Sequence, residues 1–110
     1  MKVGVLTEGD SLDSYIADDF GRAVFFLIVD TETLDYVAIK NEFANAAEGA
    51  GMKVADAIVG LGVDAVITGG IGPHGYDKLT GAGIKVSFDE EGTAEEGIEN
   101  FKRRMTNRSN

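Results

Sequence analysis

Apolar and polar positions in the first part of the chain fall into short runs rather than long stripes. Lys2–Thr7, Ala23–Asp30 and Asp35–Lys40 are rich in Val, Ile and Phe and read as β-strands, with Thr31-Glu32-Thr33-Leu34 joining the last two as a hairpin. Glu8–Gly21 is polar, with four aspartates and two glycines, and reads as a loop with room for one helical turn. From Ala50 the period changes. Ala50, Val54, Ala57, Ile58 and Leu61 fall at i, i+4, i+7, i+8 and i+11, the stripe of an amphipathic helix, and Gly62 stands where a left-handed C-cap is expected.

Asp64–Thr68 is a buried-strand pattern, followed by the glycine-rich Gly69–Gly75, a short helix over about Tyr76 to Thr80, and a strand over Ile84–Phe88. The last helix is marked by a capping box, Thr93 with Glu96, and places Ala94, Ile98, Phe101 and Met105 on one side. Three strands followed by α, β, α, β, α predict an α/β domain with a five-stranded mixed sheet. The right-handed crossover rule places the helices that link parallel strands, and the expected strand order is 3-2-1-4-5, with the first, fourth and fifth strands parallel.

The length of 110 residues fits one domain over 1–110, with a frayed tail over about 107–110. No apolar run approaches the roughly 18 residues of a membrane span, and the start is too short for a signal peptide, so the expectation is a cytoplasmic protein. Cysteine is absent, which removes thiolate nucleophiles, disulfides and Cys-ligated centres. The net charge is −9, and residues 1–101 hold six basic against nineteen acidic residues, a formal −13. Such a surface repels phosphate backbones and anionic lipid, so neither nucleic acid nor a membrane is an expected partner.

The chemistry-bearing stretch is Thr68–Gly75. Gly69, Gly70, Gly72 and Gly75 with Ile71 and Pro73 let the backbone approach a ligand closely and aim N–H groups at an anion; the plain alternative is a tight strand-to-helix turn. Gly70, Gly72 and Gly75 also spell G-x-G-x-x-G, but Pro73, the short following helix and the lack of further βαβ units argue against a dinucleotide. His74, the single histidine, is either a metal or cluster ligand or a residue bracing its loop. Glu8, Asp10, Asp13, Asp18 and Asp19 match no EF-hand spacing and read by default as a solvated loop. No G-x-S-x-G elbow and no nucleophile–base pair is present, so the chain does not read as an enzyme.

Several short words occur in a telling order: Asp19-Phe20-Gly21-Arg22-Ala23 leading into Phe26-Leu27-Ile28-Val29-Asp30, then Gly49-Ala50-Gly51, Gly62-Val63-Asp64-Ala65-Val66-Ile67-Thr68-Gly69, Ile71-Gly72-Pro73 and Ala82-Gly83-Ile84-Lys85-Val86. Together they resemble the dinitrogenase iron-molybdenum cofactor biosynthesis family, the small domain of NifX-type carriers and of the C-terminal end of NifB-type proteins. The resemblance implies a ribonuclease H-like α/β fold. It also implies a non-catalytic binder or carrier of a metal–sulfur cluster or its precursor, iron–sulfur or molybdenum-containing and transiently bound. The candidate site is formed by Asp19, Phe20, Gly21 and Arg22, by Glu48, Gly49 and Gly51, and by Gly69–Gly75, three loops that should meet at the carboxyl ends of the parallel strands, where open α/β sheets bind ligands, with Arg22 adding a fixed positive charge. Many members carry histidines where this chain has Asp19 and Glu48, and His74 stands where others often have asparagine. The partners expected are a small anionic cluster or a metalloprotein, and the chain is expected to be a monomer or weak homodimer. The alternative is an acidic interaction or regulatory protein that docks on a metalloprotein without holding a cofactor.

Overall fold

Val3, Val5 and Leu6 are fully buried although they point to opposite faces of one strand, the mark of a strand covered on both sides. This strand, β1 (Lys2–Thr7), lies at the centre of the sheet in a computed structural model that describes residues 1–108. It is followed by a 3-10 turn (Phe20–Arg22), β2 (Phe25–Asp30), β3 (Tyr36–Lys40), α1 (Ala50–Val59), β4 (Ala65–Ile67), α2 (Pro73–Gly81), β5 (Lys85–Ser87) and α3 (Ala94–Arg108).

The sheet runs β3-β2-β1-β4-β5, the order expected from the chain. β2 pairs antiparallel with β1 and β3, while β1, β4 and β5 are parallel neighbours. Leu6, Phe26 and Val66 pack under α1 and α2 with Val54, Ile58 and Leu79; Val3, Val5, Leu27, Val29 and Ile67 pack under α3 with Ala94, Ile98 and Phe101. The loop after β1 is held by backbone bridges, Thr7 with Ile16 and Tyr15 with Thr93. The capping box on α3 forms: the Thr93 N–H donates to Glu96 Oε1 at 2.8 Å, and the Glu96 N–H donates to Thr93 Oγ1 at 3.2 Å.

Several boundaries differ from the sequence expectation. α1 ends at Val59 with Gly60 as its C-cap in a right-handed conformation, and Gly62 (φ 71) instead turns the chain into β4. α2 begins at Pro73, three residues before the expected start, because a proline at the first helical position costs no hydrogen bond and already holds the helical φ. His74 and Gly75 therefore sit on the first turn of a helix rather than in a loop. β4 and β5 are trimmed to three residues each, and β2 starts at Phe25. α3 continues through Arg108, two residues into the stretch expected to fray; residues 109 and 110 of that tail lie outside the described residues. Among the described residues no helix is long and apolar enough to cross a membrane.

Candidate functional site

A helix leaves its first backbone N–H groups without carbonyl partners, and a side chain at the N-cap usually takes up one of them. α3 follows that rule through Thr93. α1 and α2 do not: their N-caps are glycines, Gly49 (φ 70) and Gly72, and neither has a side-chain cap hydrogen bond. The first intrahelical bonds run from the Lys53 N–H to the Gly49 carbonyl (3.0 Å) and from the Tyr76 N–H to the Gly72 carbonyl (3.1 Å). The amides of Ala50, Gly51 and Met52, and of His74 and Gly75, lie ahead of these bonds in two first turns that open into one cleft.

The third wall of the cleft is the 3-10 turn. Asp19 Oδ1 accepts from the Gly21 N–H at 3.0 Å and closes it, and Phe20, 1% exposed, wedges its ring beneath. A Cβ on Gly21 would lie 2.9 Å from the Gly51 nitrogen, so the turn rests directly on the start of α1. The cleft has a volume of about 300 Å³ and is lined by Asp19, Phe20, Gly21, Arg22, Gly49, Ala50, Gly51, Met52, Ile71, Gly72, His74 and Gly75. Gly51 and Gly72 have right-handed or extended backbones, and a Cβ on either would meet no atom within 4 Å.

The cleft thus gathers Asp19, Phe20, Gly21, Arg22, Gly49, Gly51, Ile71, Gly72, His74 and Gly75 from the residues singled out in the sequence, while Glu48, Gly69, Gly70 and Pro73 stand outside its lining. Glu48 is exposed on the preceding loop, and Pro73 is exposed at the first position of α2. The amides of Gly69 and Gly70 are engaged internally: the Gly69 N–H donates to Ala17 O (3.0 Å), the Gly70 N–H to Asp18 O (2.6 Å), and Gly70 O accepts from the Phe20 N–H (2.9 Å). This corrects the expectation that the whole glycine-rich stretch offers free donors. Its first two glycines bind the 3-10 turn to the end of β4, and a Cβ on Gly69 would collide with the carbonyls of Ala17 and Asp18.

Arg22 is also partly committed. Its Nη1 donates to the carbonyls of Ala44 (2.9 Å) and Ala46 (2.7 Å), tying the loop before α1 to the cleft. Asn41, not singled out in the sequence, completes the scaffold. It is 4% exposed, its Nδ2 donates to the carbonyls of Gly21 (3.3 Å) and Ala23 (2.8 Å), and its Oδ1 accepts from the Phe43 N–H (2.9 Å). An asparagine between Lys40 and Glu42 at a strand end carries the same sequence signal as any loop residue. Ala50, between the two glycines of the Gly49-Ala50-Gly51 word, lines the cleft with them, and so does Met52, whose position on a predicted helix gives no reason to select it.

Beside the cleft, sharing Asp19 and Arg22 with it, lies an open notch of about 520 Å³ bordered by Glu8, Tyr15, Asp18 and Glu91. Its carboxylates are spread along a rim: among the described residues no three His, Asp or Glu side chains come together as a metal-binding group.

The family described as dinitrogenase iron-molybdenum cofactor matches residues 1–104. The apo form of the orange protein from Desulfovibrio gigas superposes with a TM-score of 0.88 at 31% identity, over 94% of this chain and 88% of that one. A candidate NifB protein from Thermotoga, solved by NMR, superposes with a TM-score of 0.77 at 35% identity, over 93% of this chain and 87% of that one. No curated protein matches the sequence closely enough to count as a relative.

Proposed function

Starting from the fact that the chain belongs to the dinitrogenase iron-molybdenum cofactor family, we propose that it is a non-catalytic binding or carrier module whose cargo is a metal–sulfur cluster or cluster precursor held in the cleft. The observation that carries this reading is the pair of glycine-capped helix N-termini opening into one cavity, while α3, which does not reach the cavity, is capped by its own side chains. First-turn amides without a side-chain cap, at the positive ends of two helix dipoles, favour a negatively charged guest.

The donor set also limits what the guest can be. The cleft has no thiolate and one imidazole, His74, so it lacks the ligands to build a cluster around a bare ion. It suits an anion that brings its own sulfide shell, such as a thiomolybdate or a preformed iron–sulfur unit, to whose sulfurs backbone N–H groups donate. His74, exposed at the mouth on the first turn of α2, adds one ligand or one further N–H donor.

Anaerobic titration with tetrathiomolybdate, followed by visible absorption, tests the reading. Saturable binding that weakens in His74→Ala and Gly51→Leu supports it. A flat titration with the wild-type chain overturns it.

The acidic notch favours a second reading, in which the chain docks on a metalloprotein with a basic surface. Association would then be lost at high salt and would survive Gly51→Leu, which fills only the cleft.

A further inference from the structure

The segment 42–48 forms a strap between the end of β3 and the N-cap of α1. Glu42, Asn45, Ala47 and Glu48 are exposed, while Phe43, Ala44 and Ala46 are half-buried, with Phe43 packed against the core cluster that holds Val54 and Ile58. At the root of the strap the Phe43 N–H donates to Asn41 Oδ1 (2.9 Å) and the Ala44 N–H to Asn41 O (3.4 Å). Beyond that root, among the described residues, its only hydrogen bonds to the rest of the chain are the two from Arg22 Nη1, to Ala44 O (2.9 Å) and Ala46 O (2.7 Å). No residue of the strap lines the cleft, whereas Arg22 does. One guanidinium therefore touches both.

A guanidinium has five N–H groups, one on Nε and two on each terminal nitrogen. Nη1 uses both of its own on strap carbonyls, and Nε and Nη2 have no acceptor among the described residues. Nor does Arg22 form an ion pair among them, although the chain carries a net charge of −9: the ion pairs are Lys78 with Asp56 and Arg104 with Glu90. The unused Nε–Nη2 edge presents two parallel N–H bonds, the fork that suits two anionic atoms carried on one centre. We infer that Arg22 is a two-sided clasp: Nη1 holds the strap while the Nε–Nη2 edge takes the guest, so that loading the cleft fastens the strap. The inference rests on the reading of the cleft as a cargo site.

The direction of the coupling follows from the strengths of the two sets of bonds. Arg22 is exposed, so its bonds to two neutral carbonyls compete with water and leave the long side chain loosely held. A charge-assisted pair on the other edge is stronger and fixes the plane of the guanidinium. With that plane fixed, the Nη1 bonds to Ala44 and Ala46 form at a smaller loss of entropy. Linkage makes the effect reciprocal: an ordered strap holds the guanidinium in place and raises affinity for the guest. The fork also narrows the class of guest to anions with two terminal sulfurs or oxygens on one centre.

Amide exchange followed by NMR, run beside the absorption titration with tetrathiomolybdate, tests the clasp. At saturation the amides of Ala44 and Ala46 exchange about fivefold more slowly than before loading. The Leu34 amide, bonded to Asp30 O in the distant β2–β3 turn, is unchanged. Arg22→Lys keeps the charge and loses the fork, so its affinity for tetrathiomolybdate drops about tenfold and its strap no longer responds to loading. Ala46→Gly combined with Ala47→Gly loosens the strap but changes neither the cleft lining nor the carbonyls that Arg22 holds. It lowers affinity about twofold to fivefold with far-UV circular dichroism unchanged. Wild-type affinity in either variant, or saturable binding with Ala44 and Ala46 exchange unchanged or faster, overturns the clasp and leaves the cargo reading standing. A flat wild-type titration overturns both.

Discussion

Gly21 and Gly51 meet so closely that a Cβ on the first would lie 2.9 Å from the backbone nitrogen of the second, yet a Cβ on Gly51 would touch nothing within 4 Å. One glycine is required by packing; the other keeps cleft volume open. Gly21→Ala is expected to destabilise the fold by about 1–3 kcal/mol, the usual cost of forcing an atom into packed backbone, and to lower Tm. Gly51→Ala should change stability by less than about 1 kcal/mol, because its backbone is already helical. Thermal melts of the two variants check the contrast, and tetrathiomolybdate affinity should fall in both.

Removal of the Asn41 side chain strands three backbone groups at once. Asn41→Ala leaves the carbonyls of Gly21 and Ala23 and the Phe43 N–H without their buried partner. The expected loss is about 1–3 kcal/mol. Hydrogen exchange should show the loss of protection concentrated in residues 41–49 and the 3-10 turn rather than in β1.

Thr68 presents the opposite case. Its Oγ1 is fully buried and has no hydrogen-bond partner among the described residues. Thr68→Val keeps the shape and removes the unpaired hydroxyl, so it should stabilise the chain by about 1 kcal/mol, a rise of about 4–8 °C in Tm. A drop in Tm would mean that the hydroxyl is bonded in solution.

Two exposed carboxylates couple stability to pH. The Glu96 carboxyl is held below its ordinary value of 4.5 by the Thr93 N–H and hydroxyl, and the Asp30 carboxyl below 3.8, chiefly by the Glu32 N–H. A folded-state value below the unfolded one means that the contribution is complete above the ordinary value and is lost as pH falls through the lowered one. Glu96→Gln and Asp30→Asn should therefore melt below the wild type at pH 7, with each gap closing as pH drops below about 4.5 and 3.8 respectively. Melting curves at pH 7 and at about pH 3 measure the closure.

The sheet order, the parallel and antiparallel pairings, the α3 capping box and the convergence of three glycine-bearing segments on one rim were all within reach of the sequence. Each rests on a local signal: a two- or near-fourfold apolar period, a Thr-x-x-Glu spacing, a hairpin connection, or a strand end that must open at the carboxyl side of a parallel sheet. What only the tertiary structure decided is which donors at that rim remain free. The amides of Gly69 and Gly70 look as available in the sequence as those of Gly72 and Gly75, but Ala17 and Asp18, some fifty residues earlier, occupy them. The role of Asn41 and the commitment of Arg22 to Ala44 and Ala46 have the same origin. A backbone hydrogen bond is chosen by whichever partner folding brings within reach, and for a loop that partner has no fixed spacing along the chain.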